Sequence, residues 1–349
     1  MDNLSHIKIK GFKSIKELDL EIKPINVLIG ANGSGKSNFI SVFRLLENIS
    51  TQRLQTYIKQ NGGAERFLHF GNQTTDEIEI YLEIRDKKYL VFLAKNNEED
   101  TLFIRHEEYR DSGGTLEAIN TNTLESDEGE YLKECKLYHF HDTSATAKFK
   151  SFQNKGENNF LDSFASNLAP FLYHLKNNFF QDYKNIVQAV QTVAPYFQNF
   201  DFNIQDENIL LRWQHKNDLS NLGFSAQTLS DGTARFICMA TLFLQPKELR
   251  PKTIVLDEPE IGLHPDALTV LSEIIKAVAN DGSQVVISTQ SVTLANCFEP
   301  DDFIIVDYEN GESKFERFGK DKQKALKEWL ENYQMGTTWE ENLLGGMPE

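Results

Sequence analysis

Residues 25–39, INVLIGANGSGKSNF, constrain the fold of this chain more than any other segment. INVLI is a short apolar run of strand length, and after it Phe39, Ile40, Phe43, Leu46 and Ile49 recur at helical spacing. Between them residues 30–37 match G-x-x-x-x-G-K-[ST] in the strand-before, helix-after setting that the pattern requires. Glycines let backbone N–H groups wrap a phosphate, and the helix that follows aims its positive end at the same anion. Asn32, Gly33, Ser34, Gly35, Lys36, Ser37 and Asn38 are therefore expected to line a nucleotide site. Lys36 is placed to reach the β- and γ-phosphates of ATP, and the Ser37 hydroxyl to ligate Mg²⁺.

A second segment gives that site its chemistry. TIVLDEPE, residues 253–260, is an apolar strand ending in adjacent acids, which point in different directions because side chains alternate along a strand. Asp257 is expected in the Mg²⁺ shell, and Glu258 to orient and deprotonate a water in line with the γ-phosphate. Paired acids at a strand end are commonly just solvated; beside a phosphate loop they point to nucleotide hydrolysis.

Around these motifs the chain reads as α/β. Ile7 and Ile9, then Leu18, Leu20 and Ile22, alternate as strands. Ile78, Ile80, Leu82 and Ile84 share one face of an antiparallel insert, with YLVFLA returning after a polar turn. An acidic loop is expected around 110–130, and helices from 167 to 197. Beyond residue 227 helix and strand alternate, which implies a buried, largely parallel sheet.

Composition narrows the function. The 349 residues, 40% of them hydrophobic, can fill a large core. A net charge of −16 leaves no basic footprint over the whole chain, so DNA or RNA contact would need a local patch, such as Lys148, Lys150 and Lys155, or a partner. Three scattered cysteines suggest neither disulfides nor a zinc knuckle, and the longest apolar run, 236–244, cannot span a bilayer. A cytoplasmic, membrane-free protein is expected.

LSDGTARF, residues 229–236, places a serine before a helix, either as an ordinary cap or as a second anion-binding end. Together with the two motifs above it resembles the ABC-type ATPases, matching their LSGGQ signature at Leu229, Ser230 and Gly232 and departing at Asp231 and Thr233. That resemblance implies a homodimer in which the signature of one copy, Ser230, Asp231 and Gly232, closes over ATP held by the other copy's phosphate loop. IKIKGFKSIKELDLEI and DEPEIGLHP resemble the RecF, SMC and OLD-like branch. HFHDTS, SNLAPFLYHL and GTTWEENLLGGMP are similar to compact bacterial ATPases of the AAA_21 type.

The resemblance implies an ATPase head with a mixed, largely parallel sheet, an antiparallel β subdomain and an inserted helical arm. The expected divisions are 1–140 (phosphate loop and β subdomain), 141–200 (arm) and 201–349 (signature and paired acids). No sustained heptad separates phosphate loop and signature, unlike SMC proteins, and the stretch after Gln290 is too short for a TOPRIM nuclease. A nuclease-like effector is therefore expected as a separate chain, in DNA repair or anti-phage defence; a slow-turnover, ATP-gated scaffold that sequesters and releases a toxin is the alternative.

Gln290 stands where many ABC ATPases have a histidine facing the γ-phosphate, and its amide either donates there or caps a helix. His139 and His141 sit two apart on an expected strand, either structural or a metal pair lacking a third ligand, and His141 or Asp142 stands where the family has a water-sensing Gln. His264 is expected at an interface or in folding. Lys13 either approaches the nucleotide or is solvated. Phe171, Tyr173, Phe179 and Phe180 are core residues or a base-stacking platform.

Overall fold

The structure, a computed structural model, describes residues 3–85, 87–96, 98–110, 116–118, 132–219 and 222–317. Its strands are β1 (Leu4–Phe12), β2 (Ile15–Glu21), β3 (Ile25–Ile29), β4 (Glu77–Ile84), β5 (Lys87–Asn96), β6 (Thr101–Arg110), β7 (Leu116–Ala118), β8 (Cys135–Tyr138), β9 (Gln153–Asn154), β10 (Phe197–Gln205), β11 (Asn208–His215), β12 (Phe224–Ser225), β13 (Thr253–Asp257), β14 (Gln284–Ser288), β15 (Phe303–Glu309) and β16 (Glu312–Arg317). Its helices are α1 (Lys36–Ser50), α2 (Leu54–Gln60), α3 (Leu168–Asn178), α4 (Phe180–Val193), α5 (Asp231–Leu244), α6 (Pro265–Asn280) and the single turn α7 (Val292–Ala295). Two compact units divide the chain: one comprises Met1–Leu137, Pro251–Asp257 and Gly282–Glu349, the other Tyr138–Arg250 and Glu258–Asp281.

The first unit holds two six-stranded sheets. One is antiparallel, ordered β2-β1-β4-β5-β6-β7, and in β4 half-exposed and buried side chains alternate as the period-two sequence requires. The other is mixed, ordered β16-β15-β3-β14-β13-β8, with β15, β3, β14 and β13 parallel. Every residue of β3 and β14 is buried, as expected of a parallel strand covered on both faces. Phe39, Val42, Phe43 and Leu46 of α1 pack in one core with Ile7, Ile9, Ile78, Ile80 and Val286. The acidic stretch expected as a loop lies mostly outside the described residues, as does the GTTWEENLLGGMP segment.

In the second unit α5 packs against α4 and α6, and residues 233–243 are all buried. That burial explains the longest apolar run of the chain. A β10–β11 hairpin, with β9 and β12 along β11, completes the unit. Among the described residues no helix is long and apolar enough to cross a membrane.

Candidate functional site

The carboxyl ends of β3, β13 and β14 lie side by side, because Asp257 pairs with Ser288 and Ser288 with Leu28 in parallel register. In open α/β sheets this edge is where ligands bind. The loop after β3 turns into α1 through Gly35, whose φ of 113° disfavours any side chain. A Cβ there would also lie 2.0 Å from Ser313 Oγ and 2.9 Å from Ser14 Oγ. The close approach has a purpose in the fold. Ser313 Oγ donates to the Ser34 carbonyl (2.6 Å) and lies 2.7 Å from Ser14 Oγ, which accepts from Asn38 Nδ2 (2.6 Å). The β1–β2 turn and the β15–β16 hairpin thus clamp the loop from outside. The motif did not reveal Ser14 or Ser313, because their partners arrive from distant parts of the chain.

The loop is suited to an anion. α1 begins with no side-chain cap and no acid in its first turn, so its positive end is uncompensated by side chains. Lys36 is buried, and its Nζ donates to the carbonyls of Gly30 (2.7 Å) and Ala31 (2.9 Å) at the mouth of the loop. Asn32, Gly33 and Ser37 are exposed, whereas Ser34 and Gly35 are buried. The buried Ser34 hydroxyl has no hydrogen-bond partner among the described residues.

Ser288 Oγ donates to Asp257 Oδ1, which fixes that carboxylate at the strand ends. Glu258 follows at once with φ 46°, in the left-handed region. Such a conformation costs a non-glycine residue about 1–3 kcal/mol and concentrates at functional sites. It turns the chain sharply out of β13 directly after Asp257. Beyond β14, Thr289 N donates to the Leu28 carbonyl (3.0 Å), tying the Gln290 segment to the strand that feeds the loop. The helix-capping role open to Gln290 belongs instead to Ser291, whose Oγ accepts from Leu294 N (3.2 Å).

In the second unit Ser230 caps α5, accepting from Thr233 N (3.2 Å) and donating to Thr233 Oγ1 (2.8 Å). Asp231 is exposed in the first turn, where a carboxylate suits the helix dipole. Gly232 permits a close approach: a Cβ there would lie 2.4 Å from the Gly262 carbonyl. Arg235, one turn on and only 6% exposed, ties three segments together. Its Nε donates to the Phe140 carbonyl (2.9 Å) and its Nη2 to that of His141 (3.0 Å), while a Cβ on Gly262 would lie 3.0 Å from Nη1. Burial lowers the pKa of the guanidinium, opposed by the Asp231 carboxylate. Only the third dimension identifies Arg235.

Some of the other candidates are placed differently from expectation. β8 ends at Tyr138, so His139 and His141 lie beyond the strand; the His139 ring stacks on Phe164. No cluster of three metal-binding side chains occurs among the described residues. Asp142 accepts from Ser144 Oγ (2.7 Å) and N (3.1 Å), bonds that hold its carboxyl below the usual range. The lysine patch fails at Lys150, which is buried with Nζ on the Thr143 carbonyl (2.6 Å). Lys13 is not a solvated strand lysine: it is partly buried, its Nζ donates to Ser41 Oγ (2.9 Å) and lies 5.3 Å from the Phe12 and Phe67 ring centres, and burial lowers its pKa. His264 caps α6. Phe171 is core, whereas Phe180 is 63% exposed.

A phosphate loop at the end of a parallel sheet, an oriented aspartate beside it and a capped LSDG helix define an ATPase of the ABC type. The chain belongs to the AAA_21 family, described as "AAA domain, putative AbiEii toxin, Type IV TA system", whose model matches residues 25–296. It is 25% identical over 148 residues to the energy-coupling factor transporter ATP-binding protein EcfA of Methanosphaera stadtmanae, over 36% of this chain and 52% of that protein. It is 32% identical over 87 residues to the DNA replication and repair protein RecF of Renibacterium salmoninarum, over 23% of this chain and 21% of that one. The chain thus spans about half of one curated relative and a fifth of the other. In fold it is similar to an SMC head crystallised with the C-terminal winged-helix domain of ScpA, with a TM-score of 0.60 and 14% identity over 93% of this chain and 99% of that one.

Proposed function

We propose that two copies of this chain close head to head on ATP and open after hydrolysis. The observation that carries this reading is that α1 starts behind the phosphate loop with no side-chain cap and no first-turn acid, while a second helix, α5, starts behind the LSDG segment that resembles the family signature. In this reading Asn32, Gly33, Ser34, Gly35, Lys36, Ser37 and Asn38 hold the nucleotide, and Ser230, Asp231 and Gly232 of the second copy complete the site. Ser37 and Asp257 hold Mg²⁺, which neutralises charge on the phosphates. Glu258 takes the proton of the attacking water, and Gln290 orients the γ-phosphate. Lys36, already at the mouth of the loop, follows the charge that develops on the phosphates.

Residues 141–200 serve as the arm that transmits opening to a separate effector chain. The likeness to a DNA replication and repair protein supports work on DNA, in repair or anti-phage defence. The net charge of −16 and the burial of Lys150 favour contact through that nuclease-like partner, in the cytoplasm. A second reading, a slow ATP-gated scaffold that holds and releases a toxin, is favoured by the family description, which names a toxin. Turnover separates the two: DNA-stimulated hydrolysis supports the first, and stable ATP binding with negligible turnover the second.

The test is Ser230→Arg. ATP binding by the monomer should persist, measured by calorimetry, while ATP-dependent dimers disappear from light scattering and hydrolysis stops. Dimers forming normally with this variant would refute the composite site.

A further inference from the structure

Phe70 stands in the loop between α2 and β4, 64% exposed, with φ 54°. A bulky side chain is rarely found in that left-handed region, and such strain persists only where the surroundings impose it. Here they do. His69, just before it, donates from N to the Gly11 carbonyl (3.0 Å) and from Nδ1 to the Lys13 carbonyl (2.7 Å), and its own carbonyl accepts from Thr75 Oγ1 (2.6 Å). The His69 ring meets the Phe70 ring edge to face, with centres 4.5 Å apart. Gly311, at the tip of the β15–β16 hairpin, lies against the Phe70 ring, and a Cβ there would come within 3.0 Å of Cζ.

The two supports of this ring are the same two turns that clamp the phosphate loop. Ser313, two residues from Gly311, donates to the Ser34 carbonyl, and Ser14, beside Lys13, accepts from Asn38. Two strand residues cover only about 6.6 Å, so the hairpin that grips the loop at Ser313 meets the ring within that length of strand. We propose that Phe70 is the platform on which the base of the bound nucleotide stacks. A rigid, solvent-facing aromatic held by the elements that hold the phosphates provides the apolar face a base requires, and stacking of this kind is tolerant of base identity. The helical aromatics Phe171, Tyr173, Phe179 and Phe180 belong to the other unit and are not needed for it.

This inference rests on the proposed ATP reading, and its test separates the two. Affinity for MgATP is measured by calorimetry for the wild type, Phe70→Ala and Phe70→Trp, with unliganded melting temperatures checking the fold. Phe70→Ala should bind at least about tenfold more weakly. Phe70→Trp should keep wild-type affinity and show tryptophan emission quenched by ATP. Unchanged affinity in Phe70→Ala overturns the platform while leaving the nucleotide reading intact, as does a Phe70→Trp protein as weak as the alanine variant or unquenched. A wild type that does not bind MgATP overturns both.

Discussion

Glu258 and Gly35 show how much single positions carry here. Glu258 carries a strained φ of 46° directly after Asp257, which Ser288 already engages. Glu258→Gln should therefore retain ATP affinity and lose about 100-fold or more of the hydrolysis rate, measured as single-turnover phosphate release. Gly35→Ala combines a disfavoured φ with overlap on Ser313 and should lose ATP binding along with melting temperature. Ser288→Ala, which leaves Asp257 in place but unoriented, should weaken Mg²⁺ dependence more than ATP affinity. Thiol chemistry offers an independent check on burial, since burial pushes the Cys238 thiol up to about 12. At pH 8 iodoacetamide should label the partly exposed Cys297 first and reach Cys238 only on unfolding.

Elements are held by pairs that no local pattern shows. Asp281 caps the carboxyl end of α6 and meets Lys247 and Arg250, which follow α5. Hydrogen bonds from those two cations hold its carboxyl below the usual range. A carboxylate with a lowered folded pKa adds stability above its unfolded pKa, near 4, and loses it as pH falls through the folded value. The melting temperature of Asp281→Asn should thus fall below wild type at pH 7, and the gap should close below about pH 4. Arg235→Met removes two charge-assisted bonds from the start of α5, so a loss of about 2–3 kcal/mol in chemical unfolding is expected. At this scale the sequence is legible where periodicity is strong, as in β4, β5 and α1. It is less legible at β10 and β11, which follow the helical spacing that ends near residue 197, although Phe200, Phe202 and Ile204 alternate against Ile209, Leu211 and Trp213.

For the whole molecule the decisive question is whether a site is shared between copies. If so, Lys36→Ala and Ser230→Arg, each inactive alone, should regain activity when mixed, because a heterodimer joins one intact phosphate loop to one intact signature. Random pairing with one working site in half the dimers gives about a quarter of the wild-type rate, readable in a coupled ATPase assay. No recovery on mixing would mean that each chain closes its own site.

The sequence by itself determined the phosphate loop, the paired acids, the capped LSDG helix and the α/β class. Each is a local pattern whose spacing is dictated by backbone geometry. Only the tertiary structure decided what surrounds them: Ser14 and Ser313 clamping the loop, Ser288 orienting Asp257, Arg235 holding two carbonyls, Lys150 buried out of any basic patch, and Phe70 held beside Gly311. These partners lie far apart along the chain, and a hydrogen bond or a ring contact leaves no periodic trace in sequence. Their positions follow from strand register and sheet order, which are properties of the packed whole.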